Sequence, residues 1–185
     1  MTKCKICRAE FVKRSMTHKS CSPECAEIFG REQTKKQVAK KEREETKVRK
    51  EKLKGRRDYI REAKTAMHAY VRARDAGKQC ISCDTWLPVE SKLGGGLDAG
   101  HFRSVGSAKH LEFDERNVHG QCKHCNQYLA GNALEYRKGL IKRFNAEFVE
   151  GLENDNEPRK LTIDDLKEIK NKYREKLKSL SRANG

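Results

Sequence analysis

The sequence predicts a mostly helical α+β chain: an N-terminal four-cysteine zinc finger, a long charged helix, a zinc-stapled central module and C-terminal helices. Three observations carry that expectation. Eight cysteines fall in four closely spaced pairs, 37% of the residues are charged against 35% hydrophobic, and helical apolar periodicity surrounds the second cysteine set. So lean a core in 185 residues needs support beyond apolar burial, and structural metal is one form of it.

The finger comes first. Cys4-x2-Cys7 and Cys21-x3-Cys25 stand 13 residues apart, the gap of a compact four-ligand zinc site closing a short hairpin, so residues 1–26 are read as a Cys4 finger. Four thiolates fill a tetrahedral site, which leaves His18 as a surface residue. The opening residues show no apolar targeting stretch and no segment reaches membrane-spanning length, so a cytoplasmic location is expected. In a reducing cytoplasm, paired cysteines favour zinc over disulfides.

Residues 27–57 carry 13 basic and 6 acidic side chains with few apolar ones between them, and are read as a basic linker helix. Glu27 with Arg31, Glu32 with Lys36 and Glu45 with Arg49 pair at i,i+4, which supports helicity without a core. The whole chain has a formal charge of +15 and a sequence pI near 9.5, which implies a polyanionic partner. Nucleic acid fits better than a membrane surface, because no basic helix with a broad aromatic and aliphatic face is present.

The central domain is placed at residues 58–151. Ile60, Ala63, Met67, Tyr70, Val71 and Arg74 share one helical face that is expected to pack on the module, with His68 as part of that packing. Cys80-x2-Cys83 and Cys122-x2-Cys125 form a second zinc set whose 38-residue gap exceeds what a zinc ribbon needs. The insert is expected to fold back as a hairpin with Gly94-Gly95-Gly96 at its tip, over a helix beginning near Asn126. Trp86 and Phe102 could stack on unpaired bases, but are expected to pack on that hairpin. Leu134, Ile141, Phe144, Phe148 and Leu152 predict a helix to about residue 151.

The last segment, residues 152–185, begins with a polar break from Asn154 to Pro158. Thr162 is a good N-cap with Asp165 three positions on, and Leu161 with Leu166 can form a staple. Leu166, Ile169, Tyr173, Leu177 and Leu180 then predict a helix with a core or partner face.

Chemistry concentrates between the two halves of the second zinc set. A metal that gathers residues 80–83 and 122–125 brings Asp98 and His101 on the hairpin towards Asn126 after the last cysteine. Two hard oxygen donors and an imidazole then share a cleft, and hard donors suit magnesium or manganese. His101 can take a proton from water, while a cation on Asp98 and Asn126 relieves charge on a departing phosphate-ester oxygen. Arg103, Lys109, Arg116 and Lys123 are the candidate DNA-binding cations. His110 and His124 are expected at the surface.

This pattern resembles the HNH, or His-Me finger, nucleases of the recombination endonuclease VII group, where CxxC pairs flank an Asp-x-x-His motif and an Asn follows the last Cys. The resemblance implies a ββα-metal module with Asp98 and Asn126 as catalytic metal ligands and His101 as general base. It makes Asn117 the Asn that braces the loop. That group often has a second His directly after the metal-binding Asp, where this sequence has Ala99; His119 is the candidate substitute. Cys-Ser-Pro-Glu-Cys at 21–25, Asp-Ala-Gly-His at 98–101, Phe-Asp-Glu-Arg-Asn at 113–117 and Cys-Asn-Gln at 125–127 are also similar to the phage lambda NinG (Rap) recombination family. That likeness covers nearly the full length. It implies a metal-dependent endodeoxyribonuclease acting on branched DNA such as Holliday junctions and D-loops, with two structural zinc ions and magnesium or manganese as cofactors. Phage or host recombination proteins are the implied partners, and two amphipathic helices suggest a homodimer. Ala99 keeps a second reading open, a non-catalytic zinc-finger DNA-binding or annealing factor. Sequence-specific regulation lacks a recognition-helix motif.

Overall fold

A computed structural model of the chain describes residues 1–89 and 96–183. It divides into two compact units, Met1–Lys54 and Gly55–Gly185. In the first, β1 (Thr2–Lys3) and β2 (Glu10–Phe11) form a minimal antiparallel pair, followed by the 30-residue helix α1 (Pro23–Lys52). Ser22 caps α1 by accepting from the Cys25 amide at 3.3 Å, and proline fits the first turn because no amide there needs a partner. The charged helix therefore starts inside the expected finger, with Cys25 in its first turn.

No residue of α1 is buried. Its helicity rests on local terms such as the 2.6 Å Arg31–Glu27 ion pair and the basic last turn of Arg49, Lys50 and Lys52. The helix ends at Leu53, so Arg56 and Arg57 belong to the next element and not to the linker helix expected through residue 57.

The second unit opens with α2 (Arg56–Asp75), where Asp58 accepts from the Gly55 amide at 3.0 Å. β3 (Leu97–His101) and β4 (Val118–Cys122) pair antiparallel, with Asp98 opposite Gln121, Gly100 opposite His119 and His101 opposite Val118. The connection between them is residues 102–117, with short 3-10 turns at Lys109–Leu111 and Glu115–Asn117. Gly96 lies before β3, so the turn of this hairpin is not where the glycine run was expected to put it; Gly94 and Gly95 lie outside the described residues.

After β4 a single π-helical turn (His124–Tyr128) leads through left-handed Ala130, Gly131 and Asn132 into α3 (Ala133–Arg143). The helix expected to run on to residue 151 breaks at Phe144. Asn145 is extended and its side chain accepts from the Phe148 amide at 2.8 Å, capping a separate helix α4 (Ala146–Asn154). α5 (Ile163–Ala183) starts as its capping box predicts: Thr162 and Asp165 exchange bonds of 2.7 Å and 3.2 Å.

Two apolar clusters sandwich the hairpin. Ala66, Met67, Tyr70 and Val71 of α2 pack with Ala99, Val118 and Tyr173 of α5, with Ile169, Leu177 and Leu180 alongside. Ile81, Leu111, Tyr136, Leu140, Val149 and Leu152 form the other, joining α3 and α4. The buried Tyr136 hydroxyl donates to the Gly100 carbonyl at 3.0 Å, tying α3 to the middle of β3. Phe102 packs on Tyr136 as its expected place on the hairpin requires, whereas Trp86 is 70% exposed. No helix among the described residues is long and apolar enough to cross a membrane.

Candidate functional site

Both cysteine sets converge. The sulfurs of Cys4, Cys7, Cys21 and Cys25 lie within 4.8 Å of one another, as do those of Cys80, Cys83, Cys122 and Cys125. Tetrahedral zinc–thiolate bonds of about 2.3 Å put sulfurs about 3.8 Å apart. The observed Cys83–Cys122 separation is 3.8 Å and Cys21–Cys25 is 3.9 Å, far beyond a disulfide. Both sets can hold zinc. Amides also aim at the sulfurs: Cys122 N–H points at Cys80 Sγ (3.3 Å) and Cys125 N–H at Cys122 Sγ (3.5 Å), which favours the thiolate form. His18 stands outside its cluster, its ring edge-on to Phe11 and its Nδ1 accepting from the Arg14 amide.

The second cluster holds the C-terminal end of β4 and the start of the π-helical turn, and the turn delivers Asn126 to β3. Asn126 Nδ2 donates to Asp98 Oδ2 at 3.0 Å, and Gln127 Nε2 donates to the same oxygen at 2.7 Å. Among the described residues Asp98 has no cationic partner. A half-buried carboxylate beside a side-chain amide offers oxygen atoms of the kind that could hold a hard divalent cation.

His101 sits at the end of β3 on the face covered by α2, with Ala99 and Val118. Its Nε2 lies 3.1 Å from the Glu112 carbonyl. A carbonyl only accepts, so Nε2 carries the proton and Nδ1 keeps its lone pair. Burial holds the His101 pKa below its ordinary value, with the Glu112 carbonyl acting in the opposite direction. An open groove reaches His101 past Ser107, Gly131 and Leu134.

Asn117 is fully buried and ties the long connection together. Its Oδ1 accepts from the Arg103 amide at 2.8 Å, and its Nδ2 donates to the carbonyls of Arg103 and Leu111. His119 stands elsewhere: its Nε2 is 3.1 Å from the Arg116 carbonyl, its Nδ1 3.3 Å from Arg74 Nη2, and its ring is buried against Tyr136 and Phe144. Burial first, and Arg74 next, push its pKa down to about 4. Both ring nitrogens are occupied in the core, so this geometry gives it no access to the Asp98–Asn126 pair.

The candidate DNA-contacting cations divide. Arg103 does not face solvent as a phosphate ligand would. Its Nη1 donates to the carbonyls of Leu152, Glu153 and Asp155, and its Nη2 to Asn156, so it caps α4. Arg116 is exposed but paired with Asp114 and Asp155. Lys109 is exposed and Lys123 half-buried. His110 bonds the Asp155 carbonyl at 2.6 Å and is not the surface residue expected, whereas His124 is exposed near Tyr128.

One residue read as packing proves to be at the site. The His68 ring on α2 has its centroid 5.7 Å from that of His101, and its Nε2 is buried without a hydrogen-bond partner among the described residues. Burial, then the charge of His101, push its pKa down to about 4. No linear signal marks it, because His68 falls on a helix whose apolar periodicity accounts for its neighbours.

These features define a basic, mostly helical α+β protein of two units, each with a four-cysteine cluster able to bind metal. The particular group follows from comparison. The family model described as Bacteriophage Lambda NinG protein matches residues 1–183, and the chain belongs to this NinG family. It is 37% identical over 192 residues to Protein ninG of Escherichia phage 933W, covering 96% of this chain and 92% of that one. Protein ninG of Salmonella phage P22 and of Escherichia phage lambda are each 37% identical over 174 residues, or 86% of this chain and 83% and 82% of theirs. No solved structure matches the chain.

Proposed function

We propose that this protein is a metal-dependent, structure-specific DNA endonuclease that acts on branched recombination intermediates, such as Holliday junctions and D-loops, during phage recombination. The observation that carries the reading is the meeting of Asp98 with Asn126 at the edge of the second cysteine cluster, with His101 three residues along the same strand. Three chemically matched groups from two distant segments have a use together that none has alone.

In this reading water attacks phosphorus, the new P–O bond forms as the P–O3′ bond breaks, and the water's proton passes to His101 Nδ1. The Glu112 carbonyl fixes the tautomer that makes this possible, and burial keeps the ring neutral at working pH. Asp98 and Asn126 are the residues that would hold magnesium or manganese, whose charge would supply Lewis-acid relief at the departing oxygen. Asn117 keeps the connection that carries Glu112 in place. The positive charge of the chain provides sequence-independent affinity for the DNA backbone, and shape rather than base sequence sets the target.

The test is cleavage of a labelled four-way junction beside a matched linear duplex, with magnesium, manganese or neither. The expected result is junction-selective, metal-dependent cutting that His101→Ala lowers by at least about a hundredfold while binding persists. Binding without cutting under every metal tried would remove the enzyme reading and leave a zinc-built DNA-binding factor.

A further inference from the structure

The side of α2 that passes His101 carries a row of unsatisfied polar groups. Lys64, His68 and Arg72 recur every four residues, so they line one side of the helix over about 12 Å. Neighbouring positions Ala63, Met67 and Val71 are buried in the core, which fixes the rotation of the helix and holds this row at the edge of the site. Lys64 and Arg72 are half-buried, and neither has an ion pair or side-chain hydrogen bond among the described residues.

That is unusual in this unit. Lys170 pairs with Glu62, Lys176 with Glu115, Arg74 with Asp75 and Arg137 with Glu153. Among the described residues, His68 Nε2 is one of two buried side-chain polar atoms left without a partner. Such atoms are rare in folded proteins and mark places where a further partner belongs. The charges of Lys64 and Arg72 both bear on His68, and that of Lys64 also bears on His101.

We propose that Lys64, His68 and Arg72 form a phosphate-binding row for a nucleic-acid strand, in which a small rotation of the half-buried His68 ring brings its Nε2–H out to a non-bridging oxygen of the phosphodiester beside His101. The two flanking cations bind the phosphates on either side. The neutral imidazole suits this place, because it donates to the phosphate oxygen without competing with His101 for the proton of water. The assignment of the middle phosphate as the one that is cut rests on the nuclease reading; the row as a strand-binding surface does not.

The experiment uses the full zinc-loaded chain and the variants Lys64→Ala, His68→Ala, His68→Asn and Arg72→Ala, each checked by thermal denaturation. Affinity for a fluorescent four-way junction is measured against salt concentration with calcium as a non-cleaving cation. Loss of either cation is expected to reduce the slope of log K against log salt by about 1. In parallel, histidine ring 15N resonances are followed while a thymidine trinucleotide is added, and the His68 Nε2–H signal is expected to shift. Where cutting is seen, the Lys64 and Arg72 variants should raise KM about tenfold with a smaller effect on kcat.

Unchanged salt slopes together with an unmoved His68 resonance would overturn the row. If the wild type cuts normally while those readouts stay flat, only this inference fails. If no metal supports cutting but slopes and resonances respond, the strand-binding row stands and the nuclease reading falls.

Discussion

Asn126 donates to Asp98 across 3.0 Å although 28 positions separate them. The hairpin register sets Asp98 opposite Gln121, and the chain needs only Cys122 to Cys125 to return an amide to the same carboxylate. A half-buried carboxylate with amide donors but no cation among the described residues stabilises the fold little. Asp98→Asn should leave the melting temperature unchanged or slightly higher while lowering cleavage at least about a hundredfold. Matched denaturation and cleavage assays check this; a drop in stability equal to the loss of function would make Asp98 a structural residue.

Zinc content offers an independent check on the two cysteine sets. Elemental analysis should find two zinc ions per chain, and Cys83→Ser should retain one. Structural zinc contributes on the order of 10 kcal/mol in small domains, so that variant should lose cooperative unfolding of the Gly55–Gly185 unit. Two ions bound by Cys83→Ser would disprove the assignment of ligands.

The glycine of the Asp-Ala-Gly-His stretch has a steric task. A Cβ at Gly100 would lie 1.9 Å from Gln121 Oε1, and one at Gly139 would lie 1.7 Å from the Ile81 carbonyl oxygen. Gln121 is itself fixed by Ser82 (2.6 Å) and the Gly131 carbonyl (2.8 Å), so it yields only at the loss of both bonds. Gly100→Ala should cost about 2 kcal/mol, and Gly139→Ala, which opposes backbone, more than about 3 kcal/mol. Thermal denaturation should rank them in that order; the reverse order would contradict the packing.

Acid should weaken the fold through His119. Its folded pKa of about 4 lies below the unfolded value of 6.5, so its contribution is complete above pH 6.5 and is lost as pH falls towards 4. The shift corresponds to at most about 3 kcal/mol. His119→Gln should flatten the decline in stability between those limits, as read from denaturant midpoints at each pH. An equally steep decline would show that other groups, the cysteine thiolates among them, govern it.

Arg103 and Lys109 should part company. Arg103→Ala frees the carbonyls that close α4 and should cost about 2 kcal/mol with no change in the salt dependence of DNA binding. Lys109→Ala should leave stability alone and reduce the salt slope by about 1. Titrations of junction binding against salt separate the two, and the opposite assignment would restore Arg103 as a phosphate ligand.

The sequence disclosed what depends on spacing and little that depends on rotation. Cysteine gaps placed both four-cysteine clusters, and the Thr162–Asp165 box marked the start of α5, because each is a local rule. Asn145 hid the break between α3 and α4: its capping role shows only once Phe144 leaves the helix, and the apolar positions on either side keep a single period. The function of Arg103 was invisible because its partners are carbonyls 49 to 52 positions away. His68 was read as packing for a related reason, since its position relative to His101 depends on how α2 is turned against the hairpin.

The cysteines of the second cluster are made on either side of Asp98 and His101 in order of synthesis. Cys80 and Cys83 leave the ribosome before Asp98 and His101, and Cys125 emerges only one residue ahead of Asn126. A growing chain therefore carries Asp98 and His101 for some time before Asn126 exists to meet them. They can meet only after the fourth cysteine and Asn126 have been made, when metal bound by the four thiolates would draw the segments together.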